Sequence, residues 1–168
     1  MPSPTDHIVK SVLLRAPRSR VWRAVSDYKE FGTWFNARLH APFVEGTTVT
    51  GNVLYPGYEH VKLQLVVERV RPEDFMSFRW HPYPKDPERD YSAEPMTLVE
   101  FALRQEGPDT HLTVTESGFD QLPPDRRDEA FRMNEGGWEG QLENITEYVD
   151  KTAAAAAAEG ARSAAARS

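Results

Sequence analysis

Few side chains in this sequence have a type and a setting suited to chemistry. The foremost is Glu116, which follows Leu112 and Val114 at steps of two. A strand through this stretch points all three the same way. A carboxylate on an apolar face is costly unless it is paired. The strand twists and turns Glu116 to solvent, or Glu116 meets Arg79 or another arginine, or it stands in a cavity. In a cavity it would be a polar anchor or general base, its pKa raised by burial. The first two arrangements are the commoner ones, yet Glu116 is the best single candidate. His81 is the other weak catalytic candidate, at the end of the alternating run Met76, Phe78, Trp80. His7, His40, His60 and His111 are scattered, and no histidine or carboxylate pair has metal-ligand spacing. There is no Gly-x-Ser-x-Gly elbow, no phosphate-cradling glycine loop and no cysteine. The sequence therefore carries no recognised catalytic motif and calls for no metal and no cofactor.

Aromatic residues are the second group. Trp22 and Trp138 fall on helix stripes and are expected in the core. Trp34 and Trp80 fall near a helix end and a strand end, where a pocket mouth would lie. Tyr55, Tyr58, Tyr83 and Tyr91 sit in loops or near strand ends and can offer hydroxyls to a small ligand. The stretch from Pro82 to Pro95 is rich in proline and charge, and is long enough to cover such a mouth.

The element that must position these residues is a long C-terminal helix. Trp138, Leu142, Ile145 and Val149 recur at steps of four, three and four, which is one helical stripe. Glu139, Glu143, Glu147 and Asp150 lie opposite and read as a solvated face. Pro123-Pro124-Asp125 opens this helix, with Asp128 and Glu129 at its positive end. Upstream, Ile8–Ala16 reads as a strand. Two short helices follow, the first after Pro17 and the second capped by Asp27. About six strands come next: a weak candidate at 36–41, then 47–55, 61–67, 76–80, 97–105 and 110–117. From Thr152 the chain is Ala-rich and low in complexity, expected to prolong the helix by a turn or two and then fray. The expected division is one domain over 1–151 and a flexible tail over 152–168.

The 168 residues suit a single domain with a real core. A net charge of −6 argues against a nucleic-acid or anionic-membrane partner. No apolar run reaches the roughly 18 residues of a transmembrane helix, and the N-terminus lacks the signal-peptide pattern. A cytoplasmic location is the expectation.

Strands after helices without parallel crossovers imply an α+β fold with an antiparallel sheet. In this order the chain resembles the START-like (SRPBCC) helix-grip superfamily. Its nearest likeness there is the branch of activator of heat-shock-protein ATPase homologues (Aha-type). The likeness rests on Ala16–Asp27, Phe31 with Trp34, Val66–Pro72, Ser117-Gly118-Phe119 and Gly137–Leu142, and covers residues 8–150. It implies a β-α-α-β6-α helix-grip fold, with a curved antiparallel sheet wrapped around the last helix and an apolar cavity between them. It also implies a small hydrophobic or aromatic ligand, for which Trp34, Tyr55, Phe78, Trp80, Phe101 and Glu116 are the candidate contacts. Two alternatives come with the family. One is an enzyme of the polyketide cyclase or dehydratase kind, with Glu116 or His81 as its acid–base group. The other is a co-chaperone or protein-interaction module. The chaperone activators carry a further N-terminal domain, for which this sequence shows no counterpart, so chaperone contact is the weaker expectation.

Overall fold

The computed structural model describes residues 3–167, and the side chains among them as far as residue 153. Seven strands form one antiparallel sheet in the order β1-β7-β6-β5-β4-β3-β2. They are β1 (His7–Leu14), β2 (Ala37–Leu39), β3 (Thr48–Val53), β4 (Lys62–Arg71), β5 (Phe75–Trp80), β6 (Thr97–Glu106) and β7 (Asp109–Ser117). Helices α1 (Arg18–Ser26) and α2 (Tyr28–Phe35) connect β1 to β2, and α3 (Arg127–Arg167) ends the chain. A 3-10 turn, Phe119–Gln121, precedes α3. The expected β-α-α-β6-α order and α+β helix-grip class are borne out.

Each element follows from its residues. The Asp27 carboxylate accepts from the backbone N–H of Lys29 at 2.9 Å and of Glu30 at 3.2 Å, capping α2. Asn36, at φ 63°, ends α2 in the left-handed conformation that asparagine tolerates. In β7 every second residue is buried, from Thr110 through Leu112 and Val114 to Glu116. Trp138, Leu142, Ile145 and Val149 are all buried, so the α3 stripe grips the sheet as its spacing requires. Glu30 joins the helices: it receives Arg20 at 2.9 Å, Arg23 at 3.0 Å and the Tyr148 hydroxyl at 2.7 Å.

Three details differ from the sequence reading. Trp22 is only half buried and packs against the core from its side, because α1 buries Val21, Ala24 and Val25 instead. Helix α3 continues through the alanines to Arg167, further than a turn or two, since alanine carries no propensity cost in a helix. Arg79 pairs with Glu68 at 3.4 Å on the outer face and does not approach Glu116. No helix among the described residues is long and apolar enough to cross a membrane.

Candidate functional site

Glu116 lies on β7, opposite Ile8 of β1 and Val99 of β6, and is fully buried. Among the described residues no cation answers it; four donors do. Oε2 accepts the Trp80 indole N–H at 2.7 Å and the Thr97 hydroxyl at 2.5 Å. Trp80 and Thr97 face each other across β5 and β6, so the sheet supplies this oxygen. Oε1 accepts the Trp138 indole N–H at 2.8 Å and the Asn134 side-chain amide at 2.9 Å. Asn134 and Trp138 stand one turn apart on α3, so the helix supplies this one. Burial pushes the Glu116 carboxyl above the ordinary carboxylate range, and the four donors offset part of that rise. All four lone-pair positions are taken. Each oxygen of Glu116 thus answers two donors of the protein itself, one oxygen facing the sheet and the other the helix.

Beside this network a cleft of about 350 Å³ opens between α3, the β3–β4 connection and the start of the Pro82–Pro95 loop. Its walls are mainly apolar or aromatic, with Phe35, Tyr55, Tyr58, Trp80, Tyr83 and Met133 prominent. Tyr55, Tyr58 and Met133 are among the few large apolar side chains left exposed. Tyr83 adopts φ 48°, a conformation that costs a bulky residue energy and that concentrates at functional sites. Trp80 and Asn134 belong both to the cleft wall and to the Glu116 shell. His81 lines the same wall; its Nδ1 is buried without a partner among the described residues, and burial lowers its pKa. Among the described residues no three His, Asp or Glu side chains gather to hold a metal ion.

Of the residues expected to meet a ligand, Tyr55 and Trp80 line the cleft. Glu116 stands behind its wall, reached through Trp80 and Asn134. Trp34 does not line it: the ring is buried and its N–H donates to the Ala24 carbonyl at 2.8 Å. Phe78 and Phe101 are likewise core residues, each within 6.3 Å of Phe31, centroid to centroid. Large rings thus fill the middle of the grip, and the remaining space lies at one end of it. The sequence reading missed Asn134 and Thr97. Asn134 had a signal, because it precedes Trp138 by one helical turn on the buried side of α3. Thr97 had none beyond opening a strand.

A family model described as activator of Hsp90 ATPase homolog 1-like protein matches residues 15–150. The chain belongs to this family. No curated protein matches the sequence. Among solved structures, the fold of this Hsp90 ATPase activator-like chain is similar to that of MLL2253 from Mesorhizobium loti. The two share 23% identity at a TM-score of 0.70, over 87% of this chain and 98% of that one. It is also similar to DynU16, a putative protein in the dynemicin biosynthetic locus, at 24% identity and TM-score 0.69. That match takes in 88% of this chain but spans only 48% of the other. The Aha1 dimer from Colwellia psychrerythraea is similar at 12% identity and TM-score 0.65, over 85% of this chain and 95% of that one. At these identities the likeness establishes a shared fold.

Proposed function

We propose that this family member binds a small, largely apolar or aromatic molecule in the cleft beside α3, and does so without transforming it. The observation that carries the reading is the cleft itself: about 350 Å³, walled by aromatic side chains, with a few polar atoms at fixed places. That combination is what small-molecule sites have in common. The closed shell around Glu116 supports binding over catalysis, since the best acid–base candidate faces four donors of the protein itself and does not line the cleft. It serves instead to hold Trp80 and Asn134 of the wall in place.

Gly137 offers a direct test. It lines the cleft, and a Cβ added there meets nothing within 4 Å. Gly137→Leu should fill the space and also favour the helix by roughly 0.5–1 kcal/mol. An aromatic probe such as 2-methoxynaphthalene, titrated by calorimetry, should bind the wild type and fail to bind this variant, whose melting temperature should hold or rise. Equal binding by both proteins would place the probe elsewhere and end the reading.

A further inference from the structure

Asn134 links the buried carboxylate to the cleft. Its Nδ2 donates to Glu116 Oε1 at 2.9 Å, and the residue lines the cleft wall. Its carbonyl oxygen has no partner among the described residues and is not a buried atom. A side-chain amide can in principle present either end, and the surroundings decide which. Here they decide firmly. The indoles of Trp80 and Trp138 can only donate, and the Thr97 hydroxyl donates to Oε2 at 2.5 Å. Three other donors converging on one carboxylate make the surround of an acceptor-only anion. Asn134 must then turn its NH2 inward, which leaves its carbonyl oxygen outside the network on a residue that lines the cleft.

We infer that Asn134 is a specificity residue: its carbonyl oxygen, fixed by Glu116, selects aromatic ligands that carry a hydrogen-bond donor such as a phenolic hydroxyl. The inference rests on the binding reading above and goes beyond it, because it names the polar group the ligand carries. Other polar atoms of the wall are compatible with a hydroxyl. The Tyr55 hydroxyl already accepts from the Asn144 amide at 2.9 Å, so its proton is turned elsewhere. His81 Nδ1, on the same wall, is buried and has no partner among the described residues. A ligand hydroxyl that donates to Asn134 retains lone pairs for such groups.

A matched pair of probes isolates the effect. 2-Naphthol and 2-methoxynaphthalene share their rings and their oxygen, and only the first can donate. The ether is the more apolar, so burial of surface alone favours it, and a preference for the naphthol has the opposite sign. Calorimetric titration at pH 7.5, where a phenol-type hydroxyl keeps its proton, should show the wild type binding naphthol roughly tenfold more tightly, the size of one good hydrogen bond. Asn134→Ala, checked for an intact melting transition, should bind the two probes within about twofold of each other. Equal binding by the wild type, or tighter binding of the ether, would overturn the role of Asn134 while leaving the cleft as a binding site. This comparison needs no variant. A naphthol preference that survives in Asn134→Ala would also overturn it. Absence of heat with either probe would overturn both this inference and the binding reading.

Discussion

At the scale of the residue, Glu116 is the group whose energetics matter most. A fully buried carboxylate is tolerated only because four donors replace the water it lost. The substitution Glu116→Gln keeps the shape but sets an amide NH2 against groups that are themselves donors. Each buried group left unsatisfied costs about 1–3 kcal/mol, so this variant should melt well below the wild type. The pH dependence has a definite sign. The folded carboxyl is raised above its ordinary value of 4.5, so the native state holds this proton more tightly than the unfolded chain does. The stability due to Glu116 is then fully present below about pH 4.5 and is lost as pH rises through the folded value. The gap between wild type and Glu116→Gln, measured by chemical denaturation from pH 4 upward, should narrow with rising pH. A gap that widens over the same range would mean that the four donors outweigh burial.

At the scale of the element, α3 and the sheet meet through one apolar stripe and one shared carboxylate. Trp138 serves both, since its ring stacks near Trp80 at 5.9 Å while its N–H reaches Glu116. Trp138→Ala should cost about 3–5 kcal/mol from lost packing. Trp138→Phe keeps most of the ring and loses only the donor, so it should cost about 1–3 kcal/mol. Equal losses in the two variants would mean that the hydrogen bond carries nearly all of the effect. Gly51 in β3 makes a second test, because an added Cβ would stand 2.2 Å from the Arg38 backbone oxygen of β2. Gly51→Ala should therefore displace β2 and lower the melting temperature. The strands and the α3 stripe were legible in the sequence because alternation and helical spacing are local patterns. The inward direction of Glu116 was legible for the same reason, at a step of two beyond Val114. Its partners were not: they come from β5, β6 and α3, between 18 and 36 residues away, and only the sheet order brings them together. The cleft was legible in part: a mouth near Tyr55 and the Pro82–Pro95 loop was expected, whereas Trp34, Phe78 and Phe101 do not line it. Which rings fill the grip depends on how Phe31, Phe78 and Phe101 pack across three elements, and that packing moved the open space to the end near Tyr55.

At the scale of the whole molecule, the Pro82–Pro95 loop depends on the start of α3. Arg126 is nearly buried and donates to Glu94 at 2.7 Å and to the Pro82 carbonyl at 2.7 Å. Its guanidinium lies over the Tyr91 ring, 4.8 Å from the centroid. Arg89 completes the clasp, reaching Glu94 and Asp125 at 2.8 Å each. Both ends of the loop are thereby tied to the turn that leads into the helix carrying Asn134 and Gly137, and the loop's first residues form part of the cleft wall. Arg126→Ala removes the central guanidinium and leaves Glu94 with Arg89 alone. Breaking a buried pair costs up to 3–5 kcal/mol, and the surviving Arg89 contact places this case lower, near 1–3 kcal/mol. Most of that loss should appear as local opening rather than global unfolding, because the loop contributes little to the core. Limited trypsin digestion should therefore cut Arg126→Ala faster than the wild type at Lys85 and Arg89, while the global melting temperature falls only modestly. Arg126→Lys keeps the charge but lacks the planar fork that spans Glu94 and the Pro82 carbonyl at once, so its cleavage rate should fall between the two. Affinity for an aromatic probe should drop in the same order. Cleavage and binding rates indistinguishable from wild type in both variants would show that the loop holds its position without the clasp, and that proline stiffness alone shapes this side of the cleft.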